Sequence, residues 1–207
     1  MISLSILVDV RKSIWAQLKA FRSLGYLAGG TALALQIQHR KSYDFDVFCE
    51  RPISEAQSRK ILDFFQGKAL INTSDELTFL SPSDIKITFL SYPYRHAFAL
   101  VTTESLPMLS LRDIAAAKAY TMNRRGKYRD YVDIYFLLKN GHVSLPQIIQ
   151  TARKVYAEAF SEKLFLSQIT YLKDIESSDI KSVEYISEKP SKSQIEQFFV
   201  GLVKSHL

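Results

Sequence analysis

The 207-residue sequence predicts an α/β (α+β) fold: a mixed α/β half over residues 1–105, then an all-helical half over residues 106–207. Three observations carry this. Short segments with strand-like alternation, punctuated by Gly, Ser and Pro, cluster in the first half. From Ser110 onward apolar residues recur at helical spacing instead. Leu106-Pro107 falls between the two regimes and marks the expected boundary.

Taken in order, Val10, Ile14, Trp15, Leu18 and Phe21 share a helical face within residues 8–23. Tyr26-Leu27-Ala28 reads as a brief strand running into a Gly29-Gly30 turn, and residues 31–38 as a short helix. Residues 42–49 alternate, with Asp44 and Asp46 on one face and Tyr43, Phe45 and Val47 on the other, as in a half-buried strand. Ser54 predicts the N-cap of a helix reaching about Gln66, with Ile61, Leu62 and Phe65 as its apolar stripe. Strands are expected at 69–72, 77–80 and 85–90, separated by polar turns, and a further one at 96–102. The second half predicts helices at 111–124, 129–139 and 145–160. A last helix follows Pro190, where Ser193 and Glu196 have capping-box spacing.

Composition excludes several classes. Hydrophobic residues make up 47% and charged residues 23%, so the chain can bury a core and is not of the disordered type. A single cysteine, Cys49, leaves no intramolecular disulfide or cysteine-rich zinc cluster and favours a reducing, cytoplasmic setting. His39, His96, His142 and His206 show no metal-ligand spacing. No basic region precedes the early apolar run, which Asp9 and Arg11 interrupt, so no signal peptide is expected. No stretch approaches the roughly 20 apolar residues of a membrane span, so a membrane is not an expected partner. The net charge of +6 suits a nucleotide or nucleic-acid partner without requiring one.

Two constellations carry chemistry. The first is Gly29-Gly30-Thr31, a short helix, then Asp44 and Asp46. Paired glycines let main-chain amides approach a phosphate, and the helix N-terminus that follows favours an anion. Carboxylates at i and i+2 on a strand share a face and can hold Mg²⁺, which prefers oxygen ligands and shares them with substrate phosphates. Gly-Gly alone is often a plain turn and Asp-x-Asp alone a solvated strand edge. Their order and spacing give the combination its specificity. The second constellation is Lys118 on an Ala-rich helix face, followed by a basic run Arg124–Arg129 and by Asp130 and Asp133. An inward lysine needs an anionic partner, so an ion-pair network joining Lys118 or Arg129 to these carboxylates is one reading. The basic run either meets substrate phosphates or is a solvated loop.

Residues 27–34 (LAGGTALA), 39–42 (HRKS) and 44–48 (DFDVF), together with the Lys118 and Arg129-Asp130-x-x-Asp133 segment, resemble the AbiEii/AbiGii-type nucleotidyltransferase toxin family. That family lies within the DNA polymerase β-like superfamily. The resemblance covers roughly residues 8–140. It implies a polymerase β-like mixed sheet with flanking helices, followed by a helical domain completing an active-site cleft. It implies Gly29, Gly30 and Thr31 at the triphosphate of an NTP, and Asp44 and Asp46 as ligands of one or two Mg²⁺ ions. Arg40 and Ser42 fall in the same motif, where Arg40 either neutralises phosphate charge or forms a structural ion pair. Lys118 would contact phosphates, and Asp130 would line the site or position Lys118. The implied activity is transfer of a nucleoside monophosphate to an acceptor hydroxyl, with tRNA as an acceptor and a cognate antitoxin as a partner. A small-molecule, aminoglycoside-like acceptor and a binding member with weak catalysis are the alternatives. One departure stands out: superfamily enzymes commonly supply a third carboxylate from a later strand, where this sequence has Lys86 and Thr88, with Asp84 nearby.

Overall fold

The computed structural model describes residues 3–206 and divides into two compact units. Of the described residues, the first holds 3–36, 42–95 and 99–110; the second holds 37–41, 96–98 and 111–206.

In the first unit, α1 (Asp9–Leu18) buries Ile14, Trp15 and Leu18. The chain then forms β1 (Gly25–Ala28) and turns directly into α2 (Gly29–Ile37). After β2 (Phe45–Cys49) comes α3 (Glu55–Phe65), which the Ser54–Gln57 capping box starts as its sequence predicts. Three strands follow: β3 (Lys68–Asn72), β4 (Glu76–Leu80) and β5 (Lys86–Ser91). The sheet order is β1-β2-β5-β4-β3, with β2 and β5 parallel and the other pairs antiparallel. The strand faces alternate as the pattern requires: Phe45 and Val47 are buried while Asp46 and Phe48 are half-exposed. Phe21, Phe65, Phe79 and Phe89 pack together as part of the core. Cys49 is buried here, which pushes its thiol up to about 11 and keeps it protonated at neutral pH.

The expected strand at 96–102 does not form. Asp113 accepts the Ala97 and Phe98 N–H groups at 2.7 and 3.2 Å, satisfying that backbone with a side chain instead of a ladder. Val101 makes only an isolated bridge to Met108.

The second unit contains α4 (Leu111–Met122), α5 (Tyr128–Lys139), α6 (Leu145–Tyr156), α7 (Glu162–Ile169), α8 (Ser177–Lys181) and α9 (Lys192–His206). Its largest wholly buried side chains are Tyr128, Tyr131, Phe136, Phe165 and Phe199. Two helices, α7 and α8, stand where the sequence shows only generic helical character. The cap of α9 is also shifted from expectation. Ser191 and Gln194 form the reciprocal pair, at 3.2 and 2.8 Å, because the helix begins at Lys192 and Ser193 lies inside its first turn. Residues 39–41 pair with the tail of this unit: Lys41 N–H donates to the Glu184 carbonyl and Ile186 N–H to the His39 carbonyl. Among the described residues, no helix is long and apolar enough to cross a membrane.

Candidate active site

The sheet unit brings the glycine turn and the carboxylates together. β1 ends at Ala28, whose register partner on β2 is Asp46, so Gly29 begins α2 directly beside that carboxylate. Gly29 has φ +65, a left-handed conformation that L side chains rarely adopt, and a Cβ there would lie 2.5 Å from Asp46 Oδ2. Both backbone conformation and close approach demand glycine. The outcome is a helix N-terminus, with its unpaired amides and favourable dipole, packed against an acidic side chain.

Thr31 lies at the same turn but is 2% exposed. Its Oγ1 hydrogen-bonds to the Asp44 carbonyl and lies 2.9 Å from Ser42 Oγ. Arg11 donates to the Ser42 carbonyl at 2.7 Å. Thr31, Ser42 and Arg11 therefore hold the approach to β2, and with it Asp44. The strand begins only at Phe45, so Asp44 precedes it rather than sharing a regular ladder with Asp46. Lys86 Nζ stands 2.9 Å from Asp44 Oδ2.

The pairing of β2 with β5 fixes what faces the carboxylates. Thr88 is the register partner of Asp46, so a hydroxyl occupies the neighbouring position on that face. Asp84 lies outside the strand, exposed in the preceding turn with φ +57, and does not supply an acid to that position. Among the described residues, no group of three or more His, Cys, Asp or Glu side chains is gathered as a metal cluster. A divalent ion would depend on Asp44, Asp46 and oxygens of the substrate. Two hard carboxylates fit magnesium, which commonly uses one or two plus phosphates and water.

The helical unit holds the second constellation. Lys118 Nζ is 2.7 Å from both Asp130 Oδ1 and Asp133 Oδ2. Arg40 donates to Asp133 through Nε at 2.6 Å and Nη2 at 2.9 Å, and its Nη1 to the Lys41 carbonyl at 2.9 Å. His39 Nε2 lies 2.7 Å from the same Asp133 carboxylate, while its Nδ1 is buried with no hydrogen-bond partner. Asp130 also accepts the Lys127 N–H at the start of α5. All five side chains are buried, Asp133 wholly so. Burial alone would raise Asp133, but Arg40, Lys118 and His39 together hold it well below the usual carboxylate range. Burial opposes the charge on Lys118; Asp133 and Asp130 outweigh it and raise the lysine. Burial of His39 wins over Asp133, and the imidazole is lowered.

Residues 16–198 match the family described as Nucleotidyl transferase AbiEii toxin, Type IV TA system. The chain belongs to the AbiEii nucleotidyltransferase toxin family. A curated relative, an uncharacterized protein of Aquifex aeolicus strain VF5, is 30% identical over 190 residues, covering 88% of this chain and 87% of the relative. Two solved structures share the fold. A candidate nucleotidyltransferase from H. pylori superposes with a TM-score of 0.60 at 16% identity, covering 98% of this chain and 95% of that one. MenT4, a nucleotidyltransferase toxin of Mycobacterium tuberculosis H37Rv, also gives 0.60 at 13% identity, covering 93% and 82%. The chain therefore shares the fold of these two structures, and it is a nucleotidyltransferase by family.

Against the family's motifs, Gly29, Gly30, Thr31, Ser42, Asp44 and Asp46 are gathered within the sheet unit, and Arg40, Lys118 and Asp130 within the helical unit. Arg40 is engaged in the structural ion pair of its two sequence readings. Arg129 makes no ion pair among the described residues, since Asp133 turns inward to Arg40, Lys118 and His39 instead. His39 was missed. Its sequence signal is its place beside Arg40 in the 39–42 motif, because a partner 94 residues away leaves no local pattern.

Proposed function

We propose that this AbiEii member transfers a nucleoside monophosphate from an NTP to an acceptor hydroxyl with magnesium, that tRNA is the acceptor, and that a cognate antitoxin restrains it in the cytoplasm. One observation carries the reading: the left-handed Gly29 whose Cβ position lies 2.5 Å from Asp46 Oδ2. That contact puts an anion-favouring helix N-terminus and a cation-favouring carboxylate at one point, which is what a metal-bound triphosphate needs.

In this reading the amides of Gly29 and Gly30 receive the triphosphate. Asp44 and Asp46 hold magnesium, which when bound supplies Lewis-acid stabilisation of the phosphoryl charge. Thr31 and Ser42 keep Asp44 in position. The acceptor oxygen bonds to the α-phosphorus, the bond from that phosphorus to its bridging oxygen breaks, pyrophosphate leaves, and the acceptor proton passes to water. Most of the rate enhancement comes from positioning and electrostatics. Lys118 is assigned to the nucleotide's phosphates by family resemblance, with Asp130 and Asp133 fixing its charge and position, and Arg40 acts through Asp133. The net charge of +6 supports a polyanionic acceptor.

A second reading, a nucleotide- or RNA-binding member with little turnover, is favoured by Thr88 standing beside Asp46 and by Lys86 paired with Asp44. One assay separates the two. Each labelled NTP is incubated with magnesium and total tRNA, with an aminoglycoside as the small-molecule arm. Transfer to tRNA that is lost in Asp46→Ala and Lys118→Ala is the expected result. Retained NTP binding with no labelled acceptor in any arm supports the second reading.

A further inference from the structure

We propose that the sheet unit holds a second ligand site, for a flat organic anion with an apolar body, at the end of β1 and β2 remote from Gly29 and Asp46. Gly25 and Cys49 are register partners at that end, as Ala28 and Asp46 are at the other. At about 3.3 Å per residue, roughly 10 Å of strand separates the two ends. A cavity of about 460 Å³ opens beside Gly25 and Cys49, a size that encloses small organic ligands. The site is independent of the nucleotidyl-transfer reading above.

The sequence leaves this space open. A Cβ at Gly25 would run into the Phe48 carbonyl oxygen, so β1 begins with a glycine and no side chain fills the space beside Cys49. Buried Ile53, Ile61 and Phe89 line the cavity, and Leu24, Leu100 and Pro107 extend its apolar surface. The charged residues that line it are Arg22, Glu50 and Arg51, all exposed, and among the described residues none of them forms an ion pair. Two guanidiniums against one carboxylate favour a ligand with a single negative charge. Arginine suits the task, since its planar fork grips an oxyanion and its face lies flat on a ring. Gln57 Oε1 already accepts the Ser54 N–H at 2.8 Å, which leaves its amide NH2 group as a donor for the ligand's polar edge. A wholly apolar ligand would leave these groups unused, and a cation would meet the guanidiniums directly.

Fluorescence titration of the full chain with anilinonaphthalene sulfonate and with its neutral parent, phenylnaphthylamine, tests this. One equivalent of the sulfonate should bind, about tenfold more tightly than the neutral ring, the scale of a charge-assisted contact. Arg22→Ala combined with Arg51→Ala should bring the two probes level. Both side chains are exposed, so the fold is kept, which an unchanged melting temperature checks. Cys49, the chain's only cysteine, lines the cavity and reports independently where the probe sits. Its modification by methyl methanethiosulfonate, followed by mass, should slow several-fold under saturating sulfonate. Equal affinity for both probes, or sulfonate binding unchanged in the double variant, overturns the anion preference and with it the inference. Binding that leaves Cys49 unprotected, or that ATP with magnesium displaces, puts the probe elsewhere and overturns the site, as does no binding at all.

Discussion

Asp44 and Asp46 in the sheet unit remain part-exposed, one beside a lysine and the other against a glycine, whereas Asp130 and Asp133 in the helical unit are buried among Lys118, Arg40 and His39. Charge in the first region is left accessible to a ligand. Charge in the second is consumed internally, by hydrogen bonds that occupy both oxygens of Asp133. Desolvating that many ionised groups is costly and is offset only while every partner is present. Within the helical cluster a substitution at Asp133, which is proposed to touch no substrate group, should therefore act on folding, and one at Asp46 in the sheet cluster on chemistry.

The largest expected effect follows from breaking the buried cluster. Asp133→Asn leaves Arg40 and Lys118 short of their anion and should cost about 3–5 kcal/mol, the scale for an uncompensated buried charge. Denaturant unfolding followed by circular dichroism measures it; a loss below about 1 kcal/mol would mean the cluster contributes little.

A pH series probes the same cluster without mutation. His39 is lowered from 6.5, so the unfolded chain protonates that ring first, and stability should fall as pH drops below about 6.5. Asp133 is lowered from 3.8, so its contribution is present above that value and lost as pH falls through the lower folded one. Lys118 is raised from 10.5, so its contribution holds below that value and is lost as pH climbs through the folded one. Melting temperature should thus decline on both sides of a neutral plateau, and His39→Gln should flatten the first part of the acid limb.

Asp46→Asn sharpens the contrast from the other side. It should lower nucleotide transfer on the order of a hundredfold or more, as removal of a charge-stabilising group at a phosphoryl centre does, with stability within about 0.5 kcal/mol of wild type. A large drop in melting temperature would remove the distinction between the regions.

Gly29→Ala sits between the two kinds of effect. The left-handed backbone should cost about 1–2 kcal/mol, and the new Cβ must displace the Asp46 carboxylate it meets at 2.5 Å. Loss of both NTP affinity and some stability is expected; calorimetry and thermal melts report the two separately. Smallest is the cap of α9. Ser191→Ala should cost about 1 kcal/mol and Ser193→Ala a few tenths, and the reverse order would return the helix start to the position its sequence first suggests.

Much of this molecule is written locally in its sequence. β2 is announced by alternation, α3 by the Ser54 box, and the candidate site by Gly29-Gly30 followed by Asp44 and Asp46, because turn chemistry, periodicity and motif spacing are short-range properties. Residues 96–102 mislead, since a strand-like stretch has its amides taken by Asp113. Tertiary structure alone decided the rest. Opposing Thr88 to Asp46 and Lys86 to Asp44 depends on strand register across more than 40 residues. Joining His39 and Arg40 to Asp133 spans more than 90. Contacts at that range leave no periodic trace, because what selects them is the chain's need to pair buried charge once the core has closed.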